Sequence, residues 1–239
     1  IGRRQRQMCI RDRQWMKDQL DYWQVTNYER ISAFDGREDD LSEIISGRYP
    51  DAVSSGEVGC VTSHLKSIKH WYETTDTEYG IFMEDDCDFC SVKHWPFSWR
   101  EFMSRMPYDW DCLQIAIINP RRLIANIHPR YVDDFSTACF VVNRRYAEKL
   151  MHFHCRGDKF KLDNGVRPRA VADDLIYNAG RTYAIPLFLY KLELGSSIHP
   201  EHIDAFHKTS REGLDHWWTN QSADMPIDKF FEYDTHELY

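Results

Sequence analysis

Four short apolar runs constrain this chain more than any other feature: YGIFM at 79–83, DCLQIAII at 111–118, STACFVVN at 136–143 and TYAIPLFLYKL at 182–192. Each has the length and composition of a buried strand rather than of a helix. YGIFM is apolar on both sides and reads as a central strand. Between and before these runs the apolar spacing changes. Val58, Val61, Leu65, Ile68 and Trp71 fall at helical intervals and predict a helix over 57–73. Residues 14–24, 95–107, 145–152 and 172–180 carry similar helical patterns, the last with Gly180 as its stop. YERISAFDG at 28–36 reads as a short strand closed by the turn pair Asp35-Gly36, and 37–56 as a loop holding one short helix. Alternating strands and helices predict an α/β fold around a central, mostly parallel sheet. In such a sheet ligands bind beyond the carboxyl ends of the strands.

Directly beyond the first run stand Glu84, Asp85, Asp86 and Asp88. Carboxylates this close repel one another, and a divalent cation relieves the repulsion. Glu84 and Asp86, or Asp86 and Asp88, would share one side if the strand persisted. The alternative is a solvated acidic turn.

With a formal net charge of -8, the chain lacks the excess of basic residues that a nucleic-acid binder shows. No apolar run is long enough for a transmembrane helix. The seven cysteines are scattered and read as buried thiols. Cys87-x-x-Cys90 followed by His94 lacks the second ligand pair that a zinc site would need. Residues 1–10 form an atypical basic segment, and 11–239 read as one domain.

Five blocks in order add a resemblance. They are Glu29-Arg30, Ala33 and Asp35-Gly36 after an arginine-rich start; Gly56-Glu57, Gly59-Cys60 and Ser63-His64; Glu84-Asp85-Asp86; STACFVVNRRYAEKLM; and VADDLIYNAG. Together they resemble the glycosyltransferase family 25 proteins, which include lipopolysaccharide and collagen galactosyltransferases. That family opens on an apolar strand where this chain has RRQRQMCI, and it often has an aromatic such as Tyr near Cys139-Phe140.

The resemblance implies a GT-A-type nucleotide-sugar-binding fold. It also implies inverting transfer of a hexose, galactose in many members, from a UDP-sugar to a glycan or protein hydroxyl. The implied cofactor is Mn2+ or Mg2+, held by Glu84, Asp86 and Asp88, with Asp85 on the donor sugar. Asp35, Gly36, Glu57, Ser63 and His64 become donor-site candidates, each with a packing or turn role as the alternative. Asp173 or Asp174 becomes the catalytic base, with a helix N-cap as the competing role. His199, His202 and His207 are candidates for a late metal or diphosphate ligand, while Trp217 and Trp218 read as core. A cytoplasmic or membrane-peripheral location follows, or the endoplasmic reticulum lumen for a eukaryotic source. Two other functions fit the same acidic cluster: a non-catalytic nucleotide- or glycan-binding module, and a metal-dependent phosphoesterase.

Overall fold

The computed structural model describes residues 13–49, 53–162, 171–192 and 206–232. The apolar runs form the strands of a six-stranded sheet: β1 (Tyr79–Met83), β2 (Cys87–Asp88), β3 (Cys112–Ala116), β4 (His128–Pro129), β5 (Cys139–Asn143) and β8 (Thr182–Tyr190). A separate two-residue hairpin joins β6 (Cys155–Arg156) to β7 (Lys159–Phe160). The sheet order is β1-β5-β3-β8-β2, with β4 also on β8.

The helices are α1 (13–22), α2 (Leu41–Ile44), α3 (Ser55–Thr74), α4 (Trp99–Ser104), α5 (Arg144–His154), α6 (Ala172–Tyr177), α7 (Lys208–Asn220) and α8 (Ile227–Phe230). α3 begins where Ser54 and Glu57 close a capping box: the Ser54 side chain accepts from the Glu57 amide, and Glu57 accepts from the Ser54 amide at 2.8 Å. Such a cap stabilises a helix start by about 1 kcal/mol.

Alternating side chains of β5 enter two cores. Phe140 and Val142 pack with Leu65, Ile68, Leu150 and Tyr177, from the side of α3, α5 and α6. Cys139 and Val141 pack with Phe102, Leu214, Trp218 and Phe230, from the side of α4, α7 and α8. Both faces of the sheet are therefore covered, which is why its strands lack a polar alternation. Trp217 and Trp218 lie in this second core, as expected, and the Trp218 indole donates to the Pro186 carbonyl at 2.9 Å.

Three expectations need correction. The sheet is mixed and mostly antiparallel, since β1/β5, β5/β3, β8/β2 and β8/β4 are antiparallel and β3/β8 alone is parallel. Burial on both faces produces an apolar run whichever way a strand points, so the pattern carries no direction. β1 is also an edge strand rather than a central one, with Ile81 40% exposed. The segment 28–36 joins no sheet. It lies along α3, where the Phe34 amide donates to Ser63 Oγ at 2.8 Å and Lys66 Nζ to the Ser32 carbonyl at 2.8 Å.

β1, β3 and β8 nonetheless point the same way, because two antiparallel steps separate β1 from β3. Their carboxyl ends lie at one end of the sheet, and Glu84 follows β1 there.

Candidate functional site

The strand stops at Met83, and Asp85 and Asp86 turn the chain before β2 begins. The Cys87 amide closes that turn on the Glu84 carbonyl at 3.3 Å. The alternation that would have put Glu84, Asp86 and Asp88 on one side is therefore broken. Glu84 meets α3: His64 Nε2 lies 2.9 Å from its Oε1, and the Thr137 hydroxyl donates to the same oxygen at 2.7 Å. Asp88 turns to α7, where Arg211 Nη2 donates to its Oδ2 at 2.9 Å; its Oδ1 accepts the Cys90 amide at 2.9 Å. Asp85 is exposed. The Asp86 carbonyl accepts the Lys191 amide at 2.8 Å, which fixes the turn to the end of β8.

The residues just before β5 connect this end of β1 to α6. The Ser136 amide donates to Asp173 Oδ1 at 2.7 Å, and Thr137 reaches Glu84. Ser136 has a φ of 100°, a conformation that non-glycine residues seldom adopt and that costs about 1–3 kcal/mol. Its carbonyl accepts from Gln114 Nε2 at 3.0 Å and from the Tyr177 hydroxyl at 2.8 Å, which hold it in place. Gln114 Oε1 accepts Arg130 Nε at 3.0 Å, and the buried Arg130 guanidinium stands 4.0 Å from Asp173 over the Tyr177 ring.

The two carboxyls respond in opposite directions. Burial raises the Asp173 pKa; the charges of Glu84 and Asp174 add to this, and Arg130 and the Ser136 amide oppose it. Burial also acts to raise Glu84, but the His64 and Thr137 hydrogen bonds and the His64 charge outweigh it and hold the carboxyl below its ordinary value. Burial pushes the Cys60 thiol well up, reinforced by the charges of Glu84, Asp173 and Asp86.

The sequence-predicted residues thus divide. Glu84, His64 and Asp173 come together, with the charge of Asp86 reaching the same place. Asp173 does not cap α6: the cap position is Val171, without a side-chain bond. Asp174 is buried, and its Oδ1 accepts Asn178 Nδ2 at 3.4 Å. Glu57 is used in the capping box and Ser63 in holding Phe34, its hydroxyl donating to the Gly59 carbonyl at 2.6 Å. Asp35 forms a local turn, accepting the Arg37 amide at 3.0 Å. Gly36 is needed for close packing, since a Cβ there would lie 1.7 Å from the Ser55 carbonyl oxygen. His207 packs against Tyr190 and Phe206; His199 and His202 lie outside the described residues. Cys60, Thr137, Ser136, Arg130 and Tyr177 were not singled out as site residues from sequence. Only Cys60 carried a signal, a Cys-x-x-x-His spacing that places it on one helix face with His64.

A cleft of about 240 Å3, lined by Arg121, Arg122, His128 and Asp134 among others, contains none of the predicted site residues. No described helix is long and apolar enough to cross a membrane. No family model matches the chain, and no curated protein matches it significantly.

Proposed function

We propose that the chain is an inverting glycosyltransferase that moves a hexose from a UDP-sugar to a hydroxyl of a glycan or protein. One observation carries this reading. The adjacent residues Ser136 and Thr137 hold Asp173 and Glu84 respectively, so carboxylates from two separate sequence blocks meet at one sheet end. Asp173 has the environment of a general base: a carboxyl raised by burial, close to a guanidinium and 24% exposed. In the transfer, the acceptor hydroxyl proton passes to Asp173. The hydroxyl oxygen forms its bond to the anomeric carbon as the bond to the diphosphate breaks, and the nucleoside diphosphate leaves. Arg130 offsets the negative charge around Asp173 in the resting state.

Glu84, Asp86 and Asp88 do not fit an all-oxygen Mn2+ or Mg2+ site. Arg211 and the Cys90 amide take both oxygens of Asp88, and Glu84 faces an imidazole and a thiol. The test is release of UDP from a panel of UDP-hexoses, with and without acceptor glycans and with Mn2+, Mg2+ or Zn2+. Turnover that falls 10^2- to 10^4-fold in a folded Asp173→Asn variant supports the reading. A folded wild-type protein that releases no UDP under any condition refutes it. Cleavage of phosphodiesters without sugar transfer would favour a phosphoesterase instead.

A further inference from the structure

We infer that Cys60, His64 and Glu84 form a zinc site with one open coordination position. Cys60 and His64 are one helical turn apart on α3 and project from the same face. Glu84 enters from the end of β1. The sulfur, the imidazole nitrogen and a carboxylate oxygen all lie within 4.8 Å of one another. Zinc bonds of about 2.0–2.3 Å in tetrahedral geometry separate ligand atoms by roughly 3.3–3.7 Å. Gathering the three ligands therefore needs shifts on the order of 1 Å, within the reach of side-chain rotation.

The donor set selects the metal. Thiolate and imidazole suit zinc, whereas Mg2+ and Mn2+ favour oxygen. Three protein ligands from Cys, His and carboxylate, with a fourth place open, match the arrangement of reactive rather than structural zinc. Glu84 is 34% exposed at its side chain, so the centre is open to solvent on that side. Thr137, bonded to Glu84, stands beside the ligands and can keep the carboxylate oriented when zinc replaces the His64 contact. The assignment does not rest on the transferase reading.

The experiment uses the full chain, stripped with a chelator and titrated with zinc, with bound metal counted by mass spectrometry. Cobalt, added in place of zinc, reports the ligand through its thiolate charge-transfer band. The expected result is one zinc per chain and a cobalt band, both lost in Cys60→Ser and in Glu84→Gln. A folded wild-type chain that retains no zinc overturns the inference, and so does a cobalt complex without the thiolate band. Cys60→Ala serves as a second variant, checked for folding by its thermal transition. Retention of zinc in folded Cys60→Ala, or its loss in Asp88→Asn, would place the ion on other ligands and refute the site. Zinc uptake without UDP release would sink the transferase reading alone. UDP release with no zinc uptake would sink this inference alone.

Discussion

Alanine at Gly59 and at Gly213 should change stability in opposite directions. Both glycines lie inside helices, α3 and α7, so each substitution gains about 1 kcal/mol of helix propensity. At Gly213 an added Cβ meets nothing within 4 Å, and the gain stands. At Gly59 the Cβ would lie 2.6 Å from the Gly36 nitrogen and 2.9 Å from the Phe34 carbonyl oxygen. Ordinary contact begins near 3.4 Å, so the backbone of 34–36 must retreat by about 0.8 Å. That movement strains the Phe34 amide bond to Ser63 and the Lys66 bond to Ser32. Overpacking of this kind costs about 1–3 kcal/mol, and backbone neighbours put it at the upper end. After the propensity gain, Gly59→Ala should be less stable than the parent by about 1–2 kcal/mol. Gly213→Ala should be more stable by up to about 1 kcal/mol, and each kcal/mol moves the melting temperature by about 2–4 °C at this chain length. Thermal and urea melts of the three proteins in one buffer decide it. A Gly59→Ala protein as stable as the parent would refute the close packing of 34–36 on α3, and would reopen Gly36 as a donor-site residue.

Glu84→Gln should lower stability at neutral pH by roughly 1–2 kcal/mol, the value of hydrogen bonds to a charged group reduced for partial exposure. Because the folded carboxyl lies below its usual value, this stabilisation is complete above the unfolded value of about 4.3 and fades as pH falls through the folded value; urea melts from neutral to acid pH should show the gap closing. Asp173→Asn should do the reverse. Its folded carboxyl is raised, so ionisation opposes folding at neutral pH; the variant should gain stability there, the gain should vanish in melts below an unfolded value of about 3.9, and activity should still be lost. Ser54→Ala removes the α3 cap and should lower the melting temperature by about 2–4 °C, read by circular dichroism.

Local patterning located α3 to within two residues, because Val58, Val61, Leu65, Ile68 and Trp71 form an apolar stripe at helical spacing. It located β1, β3, β5 and β8 because each is a short, continuous apolar run. It could not give their directions, which depend on which strands become neighbours after distant segments fold together. Glu84 drew notice as an acidic residue at the end of an apolar run, and Asp173 only through the family resemblance; the fold brings both to one end of the sheet. Arg130, Ser136 and Thr137 were not legible. Arg130 reaches the site through Gln114 on β3, and Ser136 acts through its backbone amide; neither relation has a local sequence period.

The acidic cluster after β1 is tolerable for a reason that its sequence conceals. A strand would have held its charges on a shared face, but the turn at Asp85 and Asp86 divides them between both sides of the sheet. Glu84 is hydrogen-bonded to His64 of α3 and to Thr137, while Asp88 is ion-paired with Arg211 of α7. Much of the mutual repulsion is therefore met by protein groups, and a bound cation is not needed simply to hold the segment together. This separates two questions that the sequence presented as one. Acidic crowding is no argument for a metal here; the argument for one rests on the thiol and imidazole that α3 brings to Glu84. The argument for proton transfer rests separately on Asp173, whose carboxyl is raised chiefly by burial.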